Sequence, residues 1–557
     1  MTAIAKFATR RPWLVVALWL AAVVGLQIAN TAAGPDLRDT FSLKGTDSQA
    51  AYDLLDERFP TAAGDTDTIA FKVDQGTINE PEVRATIEQA LTDIAAVASV
   101  VDVSSPYDVA TQVSAGQDIA YATVTYNDTA YNVALADIEA VAHIAQEADA
   151  AVTNGADLQV GHAGQAASRL ANPEVGVGEL IGLGIAAVIL FIAFGSLLAT
   201  TVPLISAIVA LMGSLAALGL FTQFGPITSS APLLAVLLGL GIGIDYALFI
   251  VNRHRLALKT GREVKDSVIA ATTTSGRAVV FAGITVFIAL AGMFVPQIAF
   301  LSGLATAAAV TVAFSVAASI TLVPALLTLY GHRVLSRRER ARLAKEGTAA
   351  DAVPEPGWMA RLVERRPLIT SLGALAVLIA LAVPALDLRL GNADQGNDPV
   401  GTPTRVAYDV VAEGFGVGAN GPLVIAVDLG EPVTLDPAAP PAGVATLMSQ
   451  LGADPDVALV IGPIPNAAGD TVIVQALPVS SPQDEQTELL VERVRGDYAA
   501  TAAQAGLAIY VGGSVASSID FTGALSDSLP LFFAIVIGLS VIVLMVAFRS
   551  VTLPIMG

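Results

Sequence analysis

Eight apolar stretches constrain this chain more than anything else in it. They run approximately Trp13–Ala29, Ile181–Leu198, Val202–Phe221, Ala231–Val251, Ala278–Phe294, Leu304–Leu327, Leu368–Leu386 and Leu529–Phe548. Crossing ~30 Å of hydrocarbon takes about 20 helical residues, so each stretch is predicted to be a membrane-spanning helix. Only 14% of the 557 residues are charged and 54% are hydrophobic, against about 25% charged in soluble domains. An ordinary soluble enzyme is therefore excluded.

The charges are unevenly placed. The two long segments after spans 1 and 7 hold 42 of the 50 acidic residues but only 10 of the 29 Lys and Arg. The remaining basic residues cluster at the N-terminal end, the span 4–5 loop, the span 6–7 linker and the end of span 8, with Arg10, Arg11, Arg253, Arg255, Arg337, Arg338, Arg365 and Arg366 among them. Positive loops stay on the cytoplasmic side. The N-terminus is thus expected in the cytoplasm of a plasma-membrane protein, with both acidic segments outside. A net charge of -21 also excludes nucleic acid as a partner, since phosphate binding needs clustered Lys and Arg. Arg10-Arg11 ahead of a short apolar run and Thr31-Ala32-Ala33 fits a secretory signal peptide as well. Span 7 argues against that, because Arg365-Arg366-Pro367 introduces it as Arg10-Arg11-Pro12 introduces span 1, and span 7 is internal.

That likeness continues at an offset of about 350 residues. Ala51-Tyr52-Asp53 recurs as Ala407-Tyr408-Asp409, Val160-Gly161 as Val511-Gly512, and Phe194-Gly195-Ser196 as Phe548-Arg549-Ser550. The pattern reads as a tandem duplication. One unit is a helix, a large outer domain and five more helices; the second stops after its second helix, at Leu553-Pro554-Ile555-Met556-Gly557. A truncated second unit is expected, with a natural eight-span protein as the alternative. The division that follows is span 1 in 1–30, an outer domain in 31–178, spans 2–6 in 179–330, a basic linker in 331–366, span 7 in 367–387, a second outer domain in 388–526 and span 8 in 527–557.

Each outer segment alternates strand-like and helical patterns. In the first, Thr68–Val73, Val100–Val103, Ile119–Tyr126 and Leu158–Gly161 read as extended, and Pro81–Ala98 and Val133–Val152 as helical. The second repeats this order with Leu423–Val427, Val444–Leu451, Val457–Ile461, Thr471–Ala476, Glu485–Ala505 and Ile509–Gly512. β-α-β-β-α-β is the split ferredoxin-like unit. The linker, with Arg337-Arg338-Glu339-Arg340 and Pro354-Glu355-Pro356-Gly357, is expected to set topology and to be attracted to the lipid surface.

Inside the apolar spans one ionisable residue stands out. Asp245 follows the glycines of Leu237–Ile244 (Gly239, Gly241, Gly243) and precedes Tyr246. A carboxylate at mid-membrane costs at least about 2.5 kcal/mol, and residues kept there despite that cost are usually proton or ion relays. The glycines would let a neighbouring helix approach closely, and the Tyr246 hydroxyl would hold the carboxyl. A carboxyl that merely joins helices is the competing reading. Thr285, deeper in span 5, is a possible neighbour of the relay, and Thr272–Ser275 reads as a cap of span 5. Other motifs carry nothing. The glycine run follows no strand and is no dinucleotide fingerprint. No lysine follows a glycine, so there is no phosphate-binding Walker loop. His143, His162, His254 and His332 lack metal-ligand spacing, and there is no cysteine. Asn127-Asp128-Thr129 matches a glycosylation triplet. No metal or cofactor is expected.

The run Gly241–Arg255 (Gly-Ile-Gly-Ile-Asp-Tyr-Ala-Leu-Phe-Ile-Val-Asn-Arg-His-Arg), the later Thr274-Ser275-Gly276-Arg277-Ala278-Val279, the one-plus-five helix pattern and the duplication resemble the MMPL transporters of the resistance–nodulation–division superfamily, especially actinobacterial ones. The resemblance covers essentially the whole chain. It implies porter-type outer domains and an Asp-Tyr pair in each half, the two pairs hydrogen-bonding as a proton relay. Asp245 and Tyr246 match the first pair; the second would lie in a tenth span, beyond these residues. A single acid before Tyr246 and the shorter outer domains differ from the superfamily's multidrug pumps.

The expected function is proton-driven export of lipids or other hydrophobic molecules, with the bilayer and cell-envelope assembly proteins as further partners. Drug efflux, a secretion accessory factor and a non-transporting scaffold remain as alternatives. An enzyme is disfavoured, since no nucleophile–base pair or metal set is seen.

Overall fold

The computed structural model describes residues 1–34, 37, 43, 45–59, 64–128, 130, 132–151, 158–171, 177–346, 358–384, 391, 393–433 and 440–551. Thr129 of the glycosylation triplet, the Pro354–Gly357 stretch and Leu553–Gly557 lie outside them. The chain forms two compact units: 1–40, 175–390 and 528–557 make a helical one, and 41–174 with 391–527 a sheet-containing one.

Each of the eight apolar stretches is helical over most of its described residues. Among the described residues six helices are long and apolar enough to cross a membrane, namely Pro12–Ala33, Leu197–Phe221, Ala231–Lys259, Val264–Gly292, Ala299–Val334 and Ser514–Val546. The stretches expected as spans 2 and 7 give the shorter apolar helices Leu180–Phe194 and Pro367–Ala382. The first of these is stopped by Gly195 at φ +61°, and Ser196 caps the helix that follows by accepting from the Ala199 N–H. The span 5 helix starts 14 residues earlier than its apolar stretch, at Val264. Thr272–Thr274 are therefore in its interior, where each hydroxyl bonds a carbonyl one turn back; they do not cap it.

Helices that share hydrocarbon gain little from hydrophobicity when they meet, so close approach of small residues holds them together. In Ala299–Tyr330, every fourth residue from Gly303 to Leu327 is buried: Gly303, Ala307, Thr311, Ser315, Ser319, Val323 and Leu327. Pro203 and Pro324 sit within helices. Trp19 of the first span donates its indole N–H to Thr321 at 2.9 Å.

The linker's first helix, Arg337–Glu346, is fixed to this unit by one side chain. Glu339 accepts from the Ser336 backbone N–H at 2.8 Å, and its own N–H bonds the Ser336 hydroxyl at 3.2 Å, a reciprocal capping box. The same carboxylate pairs with Arg255 at 2.9 Å and Lys259 at 2.6 Å. Burial pushes its pKa up, but the bonds from Lys259, the Ser336 N–H and Arg255 outweigh that and hold it down at about 2.

The sheet-containing unit has two four-stranded antiparallel sheets. Strands β1 (Thr66–Val73), β2 (Val100–Ser104), β3 (Ile119–Tyr126) and β4 (Leu158–Gly164) are ordered β2-β3-β1-β4. Strands β5 (Leu423–Asp428), β6 (Val457–Pro465), β7 (Thr471–Pro478) and β8 (Ala508–Gly512) repeat that order as β6-β7-β5-β8. Ile69, Phe71, Ile87, Leu91, Ile138 and Val141 fill the core between the first sheet and its own two helices. The opposite face is covered by a helix from far along the chain, Pro403–Phe415, through Ala70, Ile119, Ala407, Val410 and Val411. Reciprocally, Asp47–Arg58 packs against β5 and β8. Each half of the sequence thus covers the other half's sheet, and β1 is buried on both faces.

The repeat motifs mark the two crossing points. A Cβ on Gly161 would lie 2.3 Å from the backbone nitrogen of Ala407, and one on Gly512 would lie 3.0 Å from the Ala51 Cβ. Polar side chains fix the arrangement. Arg495 pairs with Asp47 at 3.1 Å and Asp520 at 2.6 Å, and Lys72 reaches Glu413 at 2.6 Å. Asp67 is fully buried; it accepts from the Ala166 and Ala167 N–H groups at 3.1 and 2.9 Å and meets the His162 ring at 2.8 Å.

Two outcomes test these contacts. Gly161→Ala should destabilise the protein by about 1–3 kcal/mol, as overpacking does, and Gly512→Ala by clearly less; thermal unfolding in detergent that ranks them the other way would refute the crossing geometry. Because the folded pKa of Glu339 is depressed, its stabilisation is complete above the unfolded value near 4.3 and is lost as pH falls towards about 2. Glu339→Gln should therefore reproduce at neutral pH the acid release of the linker helix, read as faster tryptic cleavage at Arg338 and Arg340.

Candidate functional site

Asp245 is the middle residue of the 29-residue helix Ala231–Lys259, with about 21 Å of helix on each side at 1.5 Å per residue. Pro in the first turn suits the helix start, where a backbone N–H has no partner to lose. The chain leaves the helix at Thr260, whose N–H bonds Leu256.

Two opposite faces divide the work. Ala231, Ala235, Gly239, Gly243, Ala247, Val251 and Arg255 recur every fourth residue and are all buried. Leu233, Leu237, Gly241, Asp245, Phe249 and Arg253, also four apart, are all exposed. Gly239 and Gly243 serve the packed face. A Cβ on Gly239 would come within 2.9 Å of Thr311 and 3.1 Å of Leu211, and one on Gly243 within 3.0 Å of Ala207. Gly241 belongs to the open face, with nothing within 4 Å of where its Cβ would be.

Asp245 and Tyr246 therefore diverge. The carboxylate lies on the open face, whereas Tyr246 is 6% exposed; among the described residues no hydrogen bond joins them. Thr285 is half-buried, and its hydroxyl bonds the Phe281 carbonyl of its own helix at 3.0 Å, so it is not brought to Asp245. Of the residues expected to act together, the fold sets Gly239 and Gly243 side by side against two helices and leaves Asp245 with Gly241 on the other side.

Below Asp245 the same helix carries a polar end. His254 is fully buried, and its Nδ1 lies 2.7 Å from the Ser267 hydroxyl. Arg255 donates to the Phe194 carbonyl at 2.7 Å, lies over the Phe194 ring with 4.7 Å to its centroid, and meets Glu339. A cation at a helix C-terminus is favourable, so Arg255 joins three elements. Reading the sequence as charge clusters missed this. The signal was present in Ser336-Arg337-Arg338-Glu339, a capping box that turns its acid inward. Among the described residues no group of three or more His, Asp or Glu is arranged to hold a metal.

The MMPL family model matches residues 40–370 and 398–556. Membrane protein YdfJ of Bacillus subtilis is 32% identical over 98% of this chain and 72% of its own length. The mycolic acid-containing lipids exporter MmpL11 of Mycolicibacterium smegmatis is 29% identical over 71% of this chain and 41% of its own. A heme uptake protein, MmpL11 of Mycobacterium tuberculosis, is 28% identical over 72% and 41%. A family match over most of the residues, borne by a set of membrane-length helices and two small antiparallel sheets, means that this chain belongs to the MMPL family of membrane transporters.

Proposed function

We propose that this protein works in proton-driven export of lipids or other hydrophobic molecules across the plasma membrane, with Asp245 as the proton-binding group and Tyr246 as its neighbour in the relay. One observation carries the reading: a lone carboxylate half-way along a membrane-length helix, on that helix's unpacked face. A structural acid would be buried among partners; this one is left free to meet a second group, as a relay pairing with another Asp-Tyr requires. The electrical drive, about 2.3 kcal/mol per charge per 100 mV, supports a modest conformational step per proton.

The matching strand orders and the reciprocal glycine contacts support a duplicated chain of one-plus-five helix units with ferredoxin-like, porter-type domains, the second unit incomplete here. The charge distribution supports an extracytoplasmic position for both domains and a cytoplasmic N-terminus. Lipid as cargo draws support from a relative named for exporting mycolic acid-containing lipids; the relative named for heme uptake keeps another hydrophobic cargo in view. Drug efflux and a scaffold without transport are the other readings.

Asp245→Asn keeps size and hydrogen bonding but cannot titrate. In the full transporter it should abolish export across a pH gradient at unchanged insertion and thermal stability, and Tyr246→Phe should be milder, since it removes one hydrogen bond worth about 0.5–1.5 kcal/mol. Normal export by Asp245→Asn, insensitive to an uncoupler, would favour the scaffold. For topology, Ala115→Cys and Ala468→Cys, both at exposed positions, should react with an impermeant thiol reagent in intact cells and Arg338→Cys should not; the reverse pattern inverts the assigned orientation.

A further inference from the structure

Along Ala299–Tyr330 the hydroxyl side chains follow one habit with two exceptions. Ser302, Thr306, Thr311 and Thr328 each donate to the carbonyl four residues back, at 3.1, 2.8, 2.8 and 2.8 Å. That back-bond is the cheapest way to satisfy a hydroxyl in a helix surrounded by hydrocarbon. Ser315 and Ser319 do not make it. They are 1% and 0% exposed, and among the described residues neither Oγ has a hydrogen-bond partner. An unpaired hydroxyl is costly in such surroundings.

Their position is specific. They are one turn apart on the buried row that packs against the Asp245 helix. The two helices run side by side in the same direction, since Gly239 meets Thr311 and Gly243 meets Ser315, the Ser315 Oγ lying 3.7 Å from where a Gly243 Cβ would be. Ala207, fully buried, closes the other side of Gly243 at about 3 Å. Gly243 and Ala207 thus put small residues against Ser315 at the depth of Asp245, on the face opposite the carboxylate and about one helical turn from the buried Tyr246. Further towards the inner end, Ile250, Val251, Leu322 and Val323 belong to the apolar core, so the polar patch is local and does not include His254.

We propose that Ser315 and Ser319 hold internal water against the closed face of the Asp245 helix, at the level of Tyr246. A buried water needs two to four polar partners; the two hydroxyls supply two, and the carbonyls of Thr311 and Ser315, relieved of serine back-bonds, offer spare lone pairs. Such water would serve the relay through Tyr246, which is buried on that side, and not through the Asp245 carboxylate on the opposite face. This role rests on the proton-driven reading above, but the presence of the water does not.

The chain has no cysteine, so single substitutions give an unambiguous test. Ser315→Cys, Ser319→Cys and the control Ala318→Cys, which is equally buried but in the apolar core, are exposed to silver ion, a thiol probe the size of water, in membrane vesicles. Modification is read as protection from maleimide after denaturation. Ser315→Cys and Ser319→Cys should react at least tenfold faster than Ala318→Cys; equal rates would overturn the proposal. Radiolytic hydroxyl-radical footprinting of the unsubstituted protein gives a second measurement, because radiolysis of bound water releases hydroxyl radicals that oxidise the side chains nearest to it. Tyr246 should be oxidised despite its burial, and oxidation no greater than at Tyr126, buried in the core of the first sheet, would count against the site. In the full transporter Ser315→Ala/Ser319→Ala should slow proton uptake several-fold. If Asp245→Asn exports normally while silver still reaches both serines, the relay reading fails and the water site stands.

Discussion

The packing of small residues in every fourth position of two parallel helices is the interaction on which the helical unit depends. In hydrocarbon, apolar side chains give neighbouring helices no reason to prefer one another over lipid, so affinity comes from close contact. Gly239 and Gly243 bring the Asp245 helix against Ala207, Leu211, Thr311 and Ser315. Because 3.6 residues make a turn, a row of buried positions four apart leaves a second such row on the opposite side. The contact that fixes the helix therefore also decides that Gly241, Asp245 and Phe249 point away from it.

That geometry gives one helix two chemical environments. The closed face is lined by small residues and hydroxyls and includes Tyr246; the open face offers a carboxylate among Leu233, Leu237 and Phe249. A titratable group placed on the open side can meet a moving partner without unpacking its own bundle. At its C-terminal end Arg255 pairs with Glu339 of the helix Arg337–Glu346, so the Asp245 helix is held at that end and along its packed face.

The sheet-containing unit solves a different problem. A four-stranded sheet with two helices on one face leaves the other face apolar, as Ala70 and Ile119 show. Here each half's exposed face is covered by a helix from the other half, with an approach that leaves no room for a Cβ at position 161 and little at position 512. Reciprocal covering makes the two halves of the sequence mutually dependent for burial. The ion pairs of Arg495 with Asp47 and Asp520 strengthen one of the two crossings.

Much of this was legible in the sequence, for physical reasons. Twenty-residue apolar runs have few ways to satisfy their backbones, so the spans and Asp245's depth followed from one dimension; so did strands such as Ile119–Tyr126, whose period-two pattern reflects burial face by face. Helix ends were less legible, because Thr272–Ser275 read as a cap of span 5 while the hydroxyls of Thr272–Thr274 bond within a helix that already begins at Val264. Three glycines in alternate positions look equivalent along the chain, yet an α-helix turns neighbours two apart to opposite sides, and only packing chose Gly239 and Gly243 for contact and left Gly241 open. The repeats of Ala-Tyr-Asp and Val-Gly were visible, but not that Ala407 would sit on Gly161 and Ala51 on Gly512. The sequence by itself determined which segments are apolar enough to be spans and where the isolated charge falls, since those depend on local composition. Tertiary structure alone decided which side of each helix is covered and which hydroxyls lack partners, since those depend on neighbours tens to hundreds of residues away.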